Sequence, residues 1–415
     1  MHIALISVAV LFFTGHALGW FFEKTKIPDL LILVIIGYVV GPILGYLSPA
    51  DFGKAGALLS TLALVVILYE GGLHLTAKEL AEGFLTSASL AVLGFIGISV
   101  LAGLVAFTLG GQPFHIALLL GLGIGSTSSA VVIPMVKPLS IDNNTKTILS
   151  LESAITDVLA IVIFLVAVDG IVAGEFSAKA LLVGLGPNTL LAALYGIAGG
   201  LVWAALKKHF GPVFKMAFAG EAWALLNYGL LELAGLNGAI GVLTLGFMLA
   251  NLDLLPGWLK SQMSSVPVSY RDLSFLNTLT FMLKTFFFIY LGVLVKFSDP
   301  VIVALAFLIT LLIFASRYLV INITMKKATT SRLDAMITTA MGPRGLACAV
   351  LATVPLQKGI VGGQWLQDII FAIIPLTILF TAFFVSLFEN KKVRSKFSKL
   401  WLKYSEPDEL APLQD

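Results

Sequence analysis

Apolar runs long enough to cross a hydrocarbon core follow one another almost from end to end of this chain. That feature decides most of what it can fold into. A helix needs about 20 residues to cross a bilayer, and inside lipid the backbone N–H and C=O groups must be satisfied by helices or by a closed barrel. The runs are too long and too evenly apolar for barrel strands, so the fold class is an all-α polytopic membrane protein. Composition agrees: 12% of the residues are charged and 58% hydrophobic, and the mean hydropathy is +1.00. A soluble domain carries about 25% charged residues. The net charge of +3 gives no reason to expect nucleic acid as a partner. The single cysteine, Cys348, lies within an apolar run and excludes an intramolecular disulfide or a Cys-based metal site. No cofactor is expected.

Hydropathy places about thirteen spans, near 3–22, 28–48, 55–75, 84–110, 114–137, 146–173, 178–207, 215–234, 236–253, 272–296, 300–325, 333–356 and 366–388. The first lacks a basic n-region and an A-x-A-like cleavage site, so it reads as a spanning helix and not a signal peptide. Of the 26 Lys and Arg, nineteen fall on the side shared by the odd-numbered connections and the C-terminus, and four on the other. Lys284, Arg317 and Arg344 lie within spans. This bias predicts an N-terminus outside, a cytoplasmic C-terminus and an odd number of spans. Residues 1–390 form the transmembrane domain, and 391–415 a short basic tail whose Lys391–Lys403 stretch anchors at the lipid surface.

Two spans are interrupted. The fifth carries Gly121, Gly123 and Gly125, then Ser126, Thr127, Ser128 and Ser129, at its middle. The twelfth carries Met341-Gly342-Pro343-Arg344-Gly345. Gly and Pro break helices, and a break at membrane depth survives only where the backbone is buried in protein or lines a polar cavity. A matched pair of interrupted spans points to a transporter's binding site. Spans one to six (about 3–173) and eight to thirteen (about 215–388) then form two inverted halves, linked by the helix at 178–207. Hydroxyls can cap the N–H end of a broken helix, and its C=O end attracts cations.

Ionisable groups within the membrane are costly and therefore functional candidates. Glu70, Glu152 and Asp157 are the acids of interest, with Lys284 and Arg344 as cationic partners. Asp157 lies near the centre of span six, with Ser153 four residues earlier on the same helical face. Glu152 precedes it by five, about 140° round the helix, so one of the two acids faces an ion and the other a structural partner. Na⁺ or K⁺ needs hard oxygen ligands, which Asp157, Ser153 and Thr127 can supply. The same carboxylate can take a proton when the metal leaves. Competition of metal and proton for one group is an exchange mechanism, provided the empty carboxylate cannot cross the barrier.

At these residues the chain resembles the monovalent cation:proton antiporter superfamily. The matching stretches are Tyr69-Glu70-Gly71-Gly72-Leu73, Gly125-Ser126-Thr127-Ser128-Ser129-Ala130-Val131-Val132, Glu152-Ser153-Ala154-Ile155-Thr156-Asp157 and Gly342-Pro343-Arg344-Gly345-Leu346. The first and last look like the NhaP branch, the Ser/Thr-rich break like the Kef and NapA branch. The resemblance implies a sodium- or potassium-for-proton exchanger of the plasma membrane, not an enzyme, working as a homodimer by alternating access. It implies that Asp157 carries ion and proton, that Thr127, Ser153 and Glu70 help to coordinate the cation, and that Glu152 and Arg344 form a buried ion pair. The chain departs from the family's pattern at Thr156, where Asn, Asp or Gln is usual, and at Ser128, where an aspartate is frequent. Both are carried as candidate ligands, and with them the ion choice and stoichiometry stay open. Lys284 is open between a second proton carrier and a structural cation.

Three other classes compete. A cation channel tolerates a hydroxyl-lined path but needs no lone central carboxylate. A sodium-coupled symporter would want a larger polar site. An intramembrane aspartyl protease needs two facing aspartates, and Asp169 is about three turns beyond Asp157.

Overall fold

The computed structural model describes residues 13, 29–74, 84–136, 138–174, 187–210, 218–264, 268–295, 299–325, 330–390, 394 and 397–404. Among them every long element is a helix. In chain order these are α1 Asp29–Tyr38, continued by a π-turn Val39–Ile43, then α2 Pro49–Leu73, α3 Phe84–Thr108, α4 Phe114–Gly123, α5 Ser129–Val136, α6 Asn143–Val172, α7 Pro187–His209, α8 Ala219–Leu233, α9 Gly238–Ala250, α10 Tyr270–Leu294, α11 Pro300–Thr324, α12 Arg332–Ala340, α13 Leu346–Gln357 and α14 Gly363–Glu389. Six of the described helices are long and apolar enough to cross a membrane, and shorter apolar helices accompany them. The span expected at 3–22 lies outside the described residues apart from Phe13.

Local chemistry sets the ends. Asn237 caps α9 by accepting from the Ile240 N–H at 3.1 Å, and Asp299 caps α11 ahead of Pro300. Ser331 and Asp334 form a reciprocal capping box at the start of α12. Asp334 Oδ1 also accepts from the Asp142 N–H at 2.9 Å, tying the segment before α6 to α12.

The chain divides into two compact units that interleave in sequence. The first comprises residues 1–15, 49–82 and 165–290, the second 16–48, 83–164 and 291–415. In the first unit α9 packs against α2, α7 and α8. Its contact with α2 needs small residues: a Cβ on Gly72 would sit 2.3 Å from the Leu243 carbonyl oxygen, and one on Gly246 2.4 Å from that of Tyr69. Such approach is the usual route to tight helix pairing in lipid, where burial of apolar surface drives nothing. In the second unit α3 packs on α4 and α11, and α14 packs on α11, α12 and α13.

The stretch after α14, expected to lie as a basic tail at the lipid surface, folds back in its described part. Ser398–Trp401 forms a 3₁₀ turn. Trp401 and Tyr404 are buried, with the Trp401 indole N–H on Thr339 Oγ1 at 3.3 Å and the Tyr404 hydroxyl on the Ile321 carbonyl at 3.0 Å. Both rings thus bury their apolar bodies while their polar tips keep hydrogen-bond partners.

Candidate functional site

Both expected interruptions are present, and the second unit brings them together. Residues 124–128 separate α4 from α5, and 341–345 separate α12 from α13. The breaks bond to each other directly, Ser128 N–H donating to the Pro343 carbonyl at 2.9 Å. Gly345 allows this approach, since a Cβ on it would lie 2.1 Å from Ser128 Oγ.

Side chains satisfy the backbone groups that the breaks expose. Thr156 Oγ1, on α6, accepts from the Thr127 N–H at 3.0 Å and donates to the Ser153 carbonyl at 3.1 Å. The buried Arg344 guanidinium donates to the Ser126 carbonyl and, at 3.2 Å, to Thr127 Oγ1. The Arg344 N–H reaches Thr377 Oγ1 on α14 at 3.0 Å. Thus Arg344 occupies a carbonyl within the first break, beyond the end of α4 at Gly123.

Asp157 sits opposite the start of α5. Its Oδ2 accepts from Ser129 Oγ at 2.7 Å and from the Ser129 N–H at 3.4 Å. Ser129 is the first residue of α5, so the carboxylate faces a helix N-terminus, where negative charge is favoured. Its Oδ1 is buried and has no hydrogen-bond partner. The Ser126 hydroxyl lies beside this carboxylate and Arg344 within electrostatic reach of it, the hydroxyl also touching Cys348 Sγ at 3.3 Å and the guanidinium donating to the Ser126 carbonyl.

Glu152 faces away from that position, as its angle on α6 requires. It is 1% exposed. The expected pair between Glu152 and Arg344 is corrected here: the partner is Arg317 on α11, whose Nη1 and Nη2 donate to Oε1 at 2.6 Å and Oε2 at 3.0 Å. Arg344 follows Pro343 in the second break, and its Nη1 donates to the first. Arg317 projects from a continuous helix and also donates to the Thr338 carbonyl near the end of α12, from Nε at 3.2 Å and Nη2 at 2.9 Å. Thr127 Oγ1 joins the pair through a 3.3 Å bond to Glu152 Oε1. A small pocket lined by Phe95, Gly125, Thr127, Glu152, Arg317 and Arg344 has room for about one water molecule.

The other expected ligands divide by place. Ser153 is fully buried and donates back to the Ser150 carbonyl at 2.9 Å, which leaves its lone pairs free to accept. Ser128 is buried at the crossing of the breaks. Glu70 and Lys284 belong to the first unit, whereas Asp157 and its neighbours belong to the second. The sequence reading missed two residues. Ser129 lay within the noted hydroxyl run but was not singled out. Arg317 reads from sequence only as a cation within a span, though a second buried carboxylate calling for a partner is the signal.

The chain is 27% identical over 369 residues to a K(+)/H(+) antiporter NhaP2 of a Shewanella species, covering 86% of this chain and 61% of that protein. It is 28% identical over 266 residues to the low-affinity Na(+)/H(+) antiporter NhaS1 of Synechocystis, covering 62% and 49%. The chain thus spans about three fifths of the length of the NhaP2 relative. In fold it resembles the sodium proton antiporter MjNhaP1 of Methanocaldococcus jannaschii, with a TM-score of 0.71 at 20% identity, over 92% of this chain and 99% of that one. A family model for the transmembrane sodium/hydrogen exchanger matches residues 6–389, and the chain belongs to that family.

Proposed function

We propose that the protein is a secondary antiporter exchanging Na⁺, or Li⁺ or K⁺, for protons by alternating access. Asp157 binds cation and proton in competition. The observation that carries this reading is the state of its carboxylate: one oxygen rests on Ser129 at the start of α5, and the other is buried without a hydrogen-bond partner. A carboxylate so placed wants a proton or a metal ion, and empty it is a charge that burial penalises. Ser153, one turn earlier on α6, and the hydroxyls of the first break supply further oxygens. Thr127, Thr156 and Ser128 hold the two breaks together, and Glu152 with Arg317 is the structural ion pair. In the other unit, Glu70 is a candidate cation ligand and Lys284 either a second proton carrier or a structural cation. The protein works as a homodimer in the plasma membrane, its C-terminus cytoplasmic and its two halves inverted repeats.

A K⁺/H⁺ exchanger is the second reading, favoured by relatives that carry that description. One experiment tests both. In proteoliposomes with an imposed pH gradient, adding Na⁺ or Li⁺ should release protons and dequench a pH-sensitive dye. A response to K⁺ alone selects the second reading. A folded preparation that responds to none of the three between pH 6 and 9 refutes exchange.

A further inference from the structure

A further buried acidic group, Glu221, lies in the first unit, whereas Asp157 and its neighbours lie in the second. Four helix ends meet there: α2 and α7 finish, and α8 and α10 begin. The buried cluster there takes Tyr69, Lys207, Glu221 and Asp272, one from each end, while Lys208 and His209 of α7 and Tyr270 and Arg271 of α10 are exposed and Glu70 follows Tyr69 on α2. Lys207 and Asp272 are committed to each other at 3.0 Å. Asp272 Oδ2 also accepts from the Ser269 N–H at 2.9 Å and closes the capping box of α10, while Lys207 lies 5.6 Å from the centre of the Trp203 ring.

Glu221 has no such commitment. It is 2% exposed, and its Oε2 is buried with no hydrogen-bond partner. Tyr69, also 2% exposed, faces it across Gly220, on which a Cβ would lie 2.9 Å from the Tyr69 hydroxyl. Asp272 and Lys207 are within electrostatic reach of Glu221. The helix α9, packed against α2 and α8, carries no titratable side chain. With Glu221 ionised, two carboxylates would share one ammonium that is already bonded to Asp272. The unbonded oxygen would then bear buried charge without a donor, an arrangement strongly disfavoured in a low-dielectric interior. A proton on Glu221 removes that charge.

We propose that Glu221 is a second proton-binding site of this protein, framed by Tyr69, Lys207 and Asp272 in the unit that does not hold Asp157. Its proton does not compete with the cation at Asp157, so its occupancy reports proton concentration independently of exchange. The test is infrared difference spectroscopy of the purified full chain in H₂O and D₂O over a pH series, which resolves protonated carboxyl groups. The wild type should show a carboxyl band that Glu221→Gln removes and Asp157→Asn retains. A set of bands that Glu221→Gln leaves unchanged overturns the proposal. Should Glu221→Gln not fold, Glu221→Asp keeps a carboxyl in a displaced position and should shift the same band; an unshifted band overturns it equally. The band is read without transport, so failure of the antiporter reading and failure of this one are distinguishable.

Discussion

Two acids on one helix have opposite surroundings, and their variants should behave differently. Asp157 carries one free buried oxygen, whereas both oxygens of Glu152 are held by Arg317. Asp157→Asn keeps volume and some coordination but cannot bind and release a proton. It should abolish exchange while its melting curve stays close to wild type, and an active Asp157→Asn protein would remove the residue from the mechanism. Arg317→Ala leaves Glu152 as an uncompensated buried charge, which costs roughly 3–5 kcal/mol. Its thermal midpoint should fall steeply, and adding Glu152→Gln to the same chain should restore part of the loss. A melting curve unchanged by Arg317→Ala would show that the pair is not structural.

At the scale of elements, the site is made by four half-helices, and three of the groups that their breaks expose meet a charge of compensating sign. The start of α5 faces the carboxylate of Asp157, the end of α12 holds the Arg317 guanidinium, and the carbonyl following α4 holds that of Arg344. Each placement opposes the sign of the helix dipole's partial charge. The crossing depends on the absence of a side chain at Gly345. Gly345→Ala puts a Cβ 2.1 Å from Ser128 Oγ, and overpacking of a dense interior costs typically 1–3 kcal/mol. The variant should lose both stability and exchange, because the Ser128–Pro343 bond that sets the register of the breaks must lengthen. Retained exchange at wild-type rate would show that the breaks tolerate separation.

For the whole molecule the question is charge moved per cycle. Under the proposed reading Asp157 is the titrating carboxylate, with Thr156 beside it in place of a second acid, and one cation for one proton moves no net charge. Exchange should therefore be indifferent to voltage in proteoliposomes clamped with K⁺ and valinomycin, using Na⁺ or Li⁺ as substrate. A rate or final gradient that follows the clamp would sink the one-for-one reading. Loss of that voltage dependence in Lys284→Gln, with exchange persisting, would then identify Lys284 as a second proton carrier.

What could be read from the chain alone was whatever depends on local composition and period. Apolar run length determines helical spans, because lipid leaves the backbone no other partner than itself. Gly and Pro clusters determined where spans five and twelve break, and the 100° step of a helix separated the roles of Glu152 and Asp157. Tertiary structure decided the partners. Arg317, in a helix, and Arg344, in a break, are both buried cations within apolar spans, and nothing in their spacing says which reaches Glu152. That choice follows from the crossing of the breaks, which turns Arg344 onto the carbonyl of Ser126 and leaves Glu152 to α11. The selection of Ser129 from four consecutive hydroxyl residues, and the gathering of Glu221 with Tyr69, Lys207 and Asp272 from four distant segments, have the same cause. A long-range pairing is set by which elements pack, and no period within either segment encodes it.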